Sequence, residues 1–340
     1  MGKGSIPLVN LSSGQAMPVL GLGTVSTSIP SDLATTLTDA IEAGYRHFDT
    51  ASIYGTEQAL GRAIAEAIRQ GLLASRDELF VTSKLWCSDA DSQLVLPALQ
   101  KSLKNLGLDY LDLYLVHWPV RVKPGKMPNN FTKEDIIPFD MKSTWEEIEQ
   151  CCRLGLAKYI GVSNFSSKKL SQLLEHATIP PAVNQVEMNT SWDQRKLREL
   201  CRERGVYVTA WSPLGANGAP WGSPSVMQSP VLKEIATTKE KTVAQVALRW
   251  LYEQGVSIVV KSYNKERMKE NLKTFDWELD EDDLKMIHNI PQKMSYLGEE
   301  FVSEDGLSRP LRNYGMGKCK QPSPIKHKFF VFLFTFFLFQ

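Results

Sequence analysis

The fold is decided by the stretch YRHFDTASIYGTE, residues 45–57. It begins as a short apolar run, continues into a polar turn, and is followed by a helix-like segment over residues 59–69. This order of strand, loop and helix places Asp49 at the carboxyl end of a strand and Tyr54 in the next loop, where α/β folds collect catalytic groups. Taken alone, the two residues also have ordinary explanations, a helix cap and a half-buried tyrosine, so the rest of the chain must decide.

The same order of strand and helix recurs along the chain. Strand-like runs, each followed by a helix-like run, occupy residues 19–24, 46–48, 79–84, 111–117, 157–163, 182–187, 206–210 and 256–260. An open doubly wound sheet would need a Gly-x-Gly-x-x-Gly turn after its first strand, but Gly21-Leu22-Gly23 leads to Thr24-Val25-Ser26. We therefore predict the α/β class and a single (β/α)8 TIM barrel over residues ~19–290, with an N-terminal β-hairpin before it and a C-terminal substrate loop after it.

Two helix starts are predicted from their caps. Ser31 or Asp32 is expected to cap the helix that ends near Ala43. Thr144 and Glu147 resemble a capping box, which places the start of another helix near residue 143.

Composition narrows the function classes. The chain has 340 residues, of which 43% are hydrophobic and 23% charged, as in ordinary globular proteins. A net charge of +1 gives no reason to expect a nucleic-acid partner. Five cysteines, with Cys151 and Cys152 adjacent, show neither a disulfide framework nor metal-ligand spacing, and no secretory signal opens the chain. A reducing compartment, the cytoplasm, is the expected location.

The C-terminal residues differ in composition from the rest of the chain. Residues 318–328 are basic, and the aromatic run at 329–339 is eleven residues long, which is short of the roughly 20 that a helical membrane span needs. One alternative is a weak interfacial anchor, but a single short apolar run anchors poorly. We predict a barrel domain over residues 1–318, a tail over 319–340 that is not part of the fold, and no stable membrane association.

Side chains with polar groups lie at the carboxyl ends of most of the predicted strands. They are Asp49, Lys84, His117, Ser163 with Asn164, Gln185, Trp211 and Lys261. In a barrel these ends open on one face, and stability alone hardly explains so many polar groups there. Lys84 follows an apolar run, so it is either a surface lysine whose stem lies along apolar groups or a semi-buried cation paired with a carboxylate, for which Asp49 is the natural partner. By itself, His117 is more often a satisfied core histidine than a catalyst. Too few histidines and cysteines share this face for a metal site.

Asp49, Tyr54, Lys84 and His117 together form a proton-transfer set. A tyrosine donates reluctantly at neutral pH, and we expect Lys84 to lower the pKa of Tyr54 toward the working pH. Asp49 would hold Lys84 in place, and His117 would donate to a carbonyl oxygen. Carbonyl reduction suits this set, with Tyr54 protonating the oxygen, and since no side chain is a hydride source a cofactor must supply the hydride.

The second half of the chain is suited to hold such a cofactor. Trp211 can stack on a flat ring, and Ser163, Asn164 and Gln185 offer partners for a carboxamide. After the eighth strand, Lys261, Ser262 and Arg267 open a helix, which predicts a phosphate site. The two cations together suit the 2′-phosphate of NADPH. The alternative is a basic helix start with solvated charges.

Several motifs occur in a characteristic order: GYRHFDTA (44–51) with Tyr54-Gly55, YLVHWP (114–119), GVSNF (161–165), NQVE (184–187), WSPLG (211–215) and Lys261-Ser262. Together they resemble the aldo-keto reductase superfamily over residues ~5–318. Within it the chain is similar to plant members such as codeinone, methylecgonone, polyketide and galacturonate reductases. Trp211 stands where animal members commonly have tyrosine, and Val25 where aldose reductases have a pocket tryptophan, which implies a wider mouth.

The resemblance implies a (β/α)8 barrel, NADPH without metal or flavin, and catalysis by Asp49, Tyr54, Lys84 and His117. It implies cofactor contacts from Gly23, Thr24, Asp49, Ser163, Asn164, Gln185, Trp211, Ser212, Leu214, Lys261, Ser262, Arg267, Glu270 and Asn271. His117, Trp86 and Trp118 are the expected substrate contacts, although Trp86 has plain barrel packing as its alternative. Residues 118–142, 214–228 and 291–318 are expected to set substrate choice, and Met294, Tyr296 and Leu297 are the candidates to close the site from the C-terminal segment.

Three functions stay open at this point. The first is an NADPH-dependent aldo-keto reductase, expected to be a monomer that acts on a small-molecule carbonyl substrate. The second is a Schiff-base lyase that uses Lys84 as the nucleophile, and a carboxylate partner for that lysine argues against it. The third is a non-catalytic protein that binds NADPH.

Overall fold

The computed structural model describes residues 6–11, 14 and 16–302, and its centre is a closed barrel of eight parallel strands. In chain order these are β1 (Leu20–Gly23), β2 (His47–Asp49), β3 (Phe80–Leu85), β4 (Leu111–Val116), β5 (Ala157–Ser163), β6 (Val183–Glu187), β7 (Tyr207–Trp211) and β8 (Ser257–Val260). Each strand pairs with the next, and β8 returns to β1 with Ile258 opposite Leu20. The predicted barrel is confirmed, and its strands open with their carboxyl ends at one mouth.

Helices cover the outside of the barrel. Those of the strand–helix alternation are α1 (Leu33–Ala43), α2 (Glu57–Arg69), α3 (Val95–Leu106), α4 (Met141–Arg153), α5 (Ser167–Leu174), α6 (Arg195–Glu203), α8 (Val243–Glu253) and α9 (Lys265–Leu272). Two further helices, α7 (Pro230–Thr238) and α10 (Glu281–His288), were not predicted. Both carry start signals, since Ser229 caps α7 ahead of Pro230 and Asp280 forms a capping box with Asp283 in α10.

The two predicted caps have different outcomes. Asp32 caps α1 as predicted. The predicted capping box of Thr144 and Glu147 is wrong, because α4 begins earlier, with Asp140 as its cap. Asp140 Oδ1 accepts from the Ser143 amide over 3.1 Å, while the Thr144 hydroxyl donates to the Ala90 carbonyl. Aspartate is a strong cap, and its position one turn earlier leaves Thr144 inside the helix.

Barrel strands are buried on both faces, as expected of parallel strands covered by helices. Glycine is required where two strands approach closely: a Cβ on Gly161 would lie 2.5 Å from the Val183 carbonyl oxygen. The predicted hairpin forms between Leu8–Asn10 and Ala16–Pro18. Its Met17 packs with Phe80 at the start of β3, so the hairpin covers the end of the barrel opposite the mouth.

The last described segment, residues 291–302, follows α10 and reaches the mouth of the barrel. The predicted tail at 319–340 and the part of the predicted substrate loop beyond residue 302 lie outside the described residues. Among the described helices, none combines the length and apolar character needed to cross a bilayer.

Candidate active site

A buried ion pair lies at the centre of the mouth. Asp49 is the last residue of β2 and Lys84 lies near the end of β3, and the pairing of these strands brings their carboxyl ends together. Lys84 Nζ donates to Asp49 Oδ1 over 2.6 Å and to the Thr50 carbonyl oxygen over 2.9 Å. Burial lowers the pKa of Lys84 from its usual value, and the Asp49 charge opposes that shift. The predicted pairing is therefore confirmed.

The second oxygen of Asp49 is also held. Gln185 Nε2, from β6, donates to Asp49 Oδ2 over 2.7 Å. The carboxylate thus accepts from two strands that are far apart in sequence, which fixes its orientation.

Tyr54 and His117 meet beside this pair. The Tyr54 hydroxyl oxygen lies 3.3 Å from His117 Nε2, and the two rings are edge-on with centroids 5.6 Å apart. Lys84 Nζ lies 5.0 Å from the centroid of the Tyr54 ring. The structure therefore brings all four predicted catalytic residues together.

The expected lowering of the Tyr54 pKa is wrong in its net direction. Burial raises the pKa of Tyr54 well above its usual value, and the charge of Asp49 adds to the rise. The ammonium of Lys84 is engaged by Asp49 and by the Thr50 carbonyl. The sequence argument considered a nearby charge and left out the loss of hydration, which is the larger effect here. At neutral pH Tyr54 is a protonated donor.

His117 is a neutral imidazole in this environment. Burial lowers the pKa of His117 well below its usual value, and the charge of Lys84 lowers it further. Its Nδ1 is buried and finds no hydrogen-bond partner among the described residues. A buried N–H without a partner costs more than an unpartnered acceptor, so we assign the proton to Nε2. Two donors, the Tyr54 hydroxyl and His117 Nε2–H, then converge on one point.

A chain of hydrogen bonds leads from His117 to Trp211. Asn164 Nδ2 donates to the His117 carbonyl oxygen over 2.9 Å, and Asn164 Oδ1 accepts from Trp211 Nε1 over 3.0 Å. Ser163 Oγ donates to the Gln185 carbonyl oxygen over 2.8 Å. Asn164 has a left-handed φ of 62°, a conformation that asparagine adopts more readily than most residues. Four predicted cofactor contacts thus form one fixed wall.

The loop after β7 carries two more predicted contacts, Ser212 and Leu214. Ser212 is also left-handed, with φ 50°, and its carbonyl accepts from Asn189 Nδ2. Leu214 is half-buried against the core. Gly215 is required here, because its φ is 76° and a Cβ would lie 2.6 Å from the Ser223 carbonyl oxygen. The loop is therefore folded tightly on itself next to the wall.

The start of α9 is positively charged. Lys261 follows β8, and Arg267 lies in the first turn of α9, where its amide donates to the Asn264 cap over 2.9 Å. Burial lowers the pKa of Lys261 from its usual value, and the Arg267 charge lowers it further. Ser262 is buried beside them. Two cations that repel each other at a helix start make a fitting anion site.

Two predicted cofactor residues in α9 are engaged within the protein. Glu270 Oε1 accepts from the Thr242 hydroxyl over 2.8 Å. Asn271 is buried, and its carbonyl oxygen accepts from the Thr274 hydroxyl over 2.8 Å. Their predicted contact with the adenosine end stays a prediction.

Gly23 and Thr24 lie at the end of β1, next to the ion pair. A Cβ on Gly23 would lie 3.0 Å from Val259 Cγ1, so β1 has little room for a side chain there. The Thr24 hydroxyl donates to the Asp49 carbonyl oxygen over 3.0 Å and lies 2.7 Å from the Thr56 hydroxyl. This link between Thr24 and the start of α2 was not predicted from the sequence.

Aromatic rings surround the mouth. Trp86 is edge-on to His117 with centroids 5.6 Å apart, and its indole nitrogen donates to the Lys126 carbonyl. Trp118 packs against Phe301 at 4.8 Å. Trp86 and Trp118 therefore belong to one apolar cluster above the ion pair, together with residues from the loop after β4 and from the C-terminal segment. The sequence reasoning missed Phe301, whose contacts join distant parts of the chain.

No predicted site residue lines the cavity of about 240 Å³ that lies between α6, α8 and α10 and includes Arg195 and Arg198. Among the described residues, no group of three or more histidine, cysteine, aspartate or glutamate side chains is arranged to hold a metal ion.

Known proteins resemble this chain over most of its length. Residues 19–291 match a family model that is described as "Aldo/keto reductase family". REDOX 2 of Catharanthus roseus is 57% identical over 304 residues, which cover 88% of this chain and 94% of that protein. Deoxymugineic acid synthase 1 of Oryza sativa subsp. japonica is 58% identical over 300 residues, with the same coverage of 88% and 94%. A crystal structure of a Bombyx mori aldo-keto reductase in complex with NADP superposes with a TM-score of 0.76 at 38% identity, covering 85% of this chain and 94% of that one.

Proposed function

This chain belongs to the aldo/keto reductase family, and from that membership and its site we propose that it reduces the carbonyl group of a small molecule to an alcohol with NADPH. One observation carries the proposal. The Tyr54 hydroxyl and His117 Nε2 lie 3.3 Å apart beside the buried Lys84–Asp49 pair, so two proton donors converge where a carbonyl oxygen would be received.

The residues along the mouth fit NADPH. Gln185 holds Asp49 through Nε2, which leaves Gln185 Oε1 as a further acceptor, and Asn164 Oδ1 has one lone pair left beside its bond from Trp211. These oxygens suit the amide hydrogens of a carboxamide. The cations Lys261 and Arg267 suit the 2′-phosphate, and they lie close enough for the charge of Arg267 to lower the pKa of Lys261. When bound, the cofactor supplies a hydride to the carbonyl carbon.

In the proposed mechanism Tyr54 is the general acid. Its raised pKa keeps the hydroxyl protonated until the substrate oxygen acquires negative charge, and an alkoxide is a stronger base than a phenolate. His117 Nε2–H donates to the same oxygen and orients it. Asp49 holds Lys84 under the Tyr54 ring, where the ammonium stabilises the phenolate that forms as the proton leaves.

The aromatic cluster around the mouth makes the site dry. Trp86, Trp118 and Phe301 are buried, so few water molecules compete for the donated proton. The lyase alternative is less well supported, because Lys84 Nζ is already held by Asp49 and the Thr50 carbonyl.

We also propose a monomer in the cytoplasm, with residues 319–340 outside the functional unit. The four described cysteines, Cys87, Cys151, Cys152 and Cys201, are free, as expected in a reducing compartment. Size-exclusion chromatography with light scattering tests the oligomeric state.

The test is a screen of NADPH oxidation against aldehydes, sugars, uronic acids and polycyclic ketones, with the full chain and with a chain that ends at residue 318. We expect turnover by both chains and none by Tyr54→Phe. NADPH binding without turnover across the panel would favour the non-catalytic alternative. Covalent trapping of a carbonyl compound on Lys84 by borohydride would favour the lyase.

A further inference from the structure

The segment after α10 is tied to the loop that follows β6. The Lys293 amide donates to the Ser191 carbonyl oxygen over 2.6 Å. Gln292 accepts from the Asp193 amide over 2.7 Å and donates to the Thr190 carbonyl oxygen over 3.0 Å. These contacts bring the segment alongside the last residue of β6.

That residue is Glu187, whose side chain is buried and receives the next part of the segment. Its Oε1 accepts from the Ser295 amide over 3.2 Å, and its Oε2 accepts from the Tyr296 amide over 3.1 Å. Gln185, which holds Asp49, is two residues earlier on the same strand. Because side chains alternate along a strand, Gln185 and Glu187 project to the same side.

The hydrogen bonds from the Ser295 and Tyr296 amides to Glu187 place the Tyr296 ring at the mouth of the barrel. Its centroid lies 5.5 Å from that of Trp118 and 6.3 Å from that of Trp211, edge-on in both cases. Trp118 is the expected substrate wall and Trp211 the expected platform for the nicotinamide. Tyr296 thus spans the space between the two proposed binding regions.

We propose that Glu187 is a positioning and specificity-determining residue that fixes Tyr296 over the mouth and so sets the binding of bulky carbonyl substrates. This proposal rests on the proposed function. At Glu187 the two neighbouring amides donate to separate oxygens of the carboxylate. Glutamine offers only one such oxygen, and its amide group would face an amide donor.

Solution conditions matter for the test. Burial raises the pKa of Glu187 to about 7, and hydrogen bonds from Ser295 and Asn189 oppose the rise. Assays at about pH 8 therefore keep Glu187 mainly ionised.

The chain offers a matched control in Glu149 of α4. It is as buried as Glu187, and its Oε1 accepts two neighbouring backbone amides, those of Thr178 and Ile179, at 2.6 and 2.8 Å. Its Oε2 accepts from Arg153 Nη2 over 2.7 Å. It lies on the outer layer of helices, away from the mouth. Glu149→Gln therefore removes the charge of an equally buried carboxylate that accepts two backbone amides, without touching Tyr296.

The experiment compares Glu187→Gln, Glu149→Gln and the unaltered enzyme on naphthaldehyde and propanal. Losing a hydrogen bond to a charged group shifts an equilibrium by about tenfold or more. We expect Glu187→Gln to raise KM for naphthaldehyde by about tenfold, with kcat and the propanal KM within about twofold. Glu149→Gln should leave both substrates unchanged. Equal effects of Glu187→Gln on both substrates, or none, would overturn the proposal.

Two further measurements keep the proposal testable if Glu187→Gln folds poorly or if the enzyme reduces neither aldehyde. Tyr296→Ala keeps the backbone amides and removes the ring, so it should reproduce the loss for naphthaldehyde alone, and an unchanged KM would overturn the proposal. Hydrogen exchange of the segment 291–302 measures how firmly Glu187 holds this segment, and it needs no catalytic activity. The exchange rate of this segment should be about tenfold faster in Glu187→Gln and unchanged in Glu149→Gln. If the segment in Glu187→Gln were as protected as in the unaltered protein, the proposal that Glu187 holds it would be overturned.

Discussion

Replacing Lys84 with methionine removes the ammonium from the buried pair and leaves a side chain of similar length. Both hydrogen bonds of Lys84 Nζ are lost, and the Asp49 carboxylate stays buried without its cation. Breaking a buried pair in this way typically costs about 3–5 kcal/mol. Since Gln185 still donates to Asp49 over 2.7 Å, we expect the lower end, about 3 kcal/mol less free energy of unfolding.

A double-mutant cycle isolates the pair itself. Asp49→Asn in the background of Lys84→Met removes the uncompensated charge, so the double variant should be about 1–2 kcal/mol more stable than Lys84→Met alone. The assay is urea unfolding followed by tryptophan fluorescence, with free energies from linear extrapolation. Strictly additive losses would refute the reasoning, because they would mean that Asp49 and Lys84 do not depend on each other.

Two further predictions follow from charged groups outside this pair. Arg267→Ala should weaken NADPH binding by about tenfold and NADH binding by less than about twofold in fluorescence titrations, because only NADPH carries the 2′-phosphate, and equal losses would place that phosphate elsewhere. Burial raises the pKa of Glu187 to about 7, so between about pH 5 and 7 the native state holds a proton that the unfolded chain has released. The contribution of this proton to the free energy of unfolding is present at low pH and is lost as the pH rises through 7. Compared with Glu187→Gln, the free energy of unfolding of the unaltered protein should fall by up to about 1.4 kcal/mol per pH unit between about pH 5 and 7, and parallel curves for the two proteins would contradict this.

The barrel could be predicted because its strands are buried on both faces and read as apolar runs between helices. The helices α7 and α10 were missed because they stand outside the alternation of strand and helix, although Ser229 and Asp280 marked their starts. The early start of α4 was missed because Thr144 gave a plausible cap, whereas Asp140 gave a stronger one a turn earlier.

The positions of the site residues could be predicted because topology alone brings strand ends to one mouth. The direction of the Tyr54 pKa shift could not be predicted, because it depends on burial, which the sequence does not give. The anchoring of Tyr296 by Glu187 joins residues 109 positions apart through backbone amides, which carry no residue-specific signal. Such contacts become visible only in the folded chain.

The central claim is that the Tyr54 hydroxyl donates the proton during carbonyl reduction. The direct measurement is single-turnover reduction of a substrate found in the screen by Tyr54→Phe, with NADPH affinity measured on the same preparation. The account predicts a rate lower by about 10²–10⁴-fold and NADPH affinity within about twofold of the unaltered protein. A Tyr54→Phe enzyme that binds NADPH normally and reduces the substrate at the full rate would contradict it.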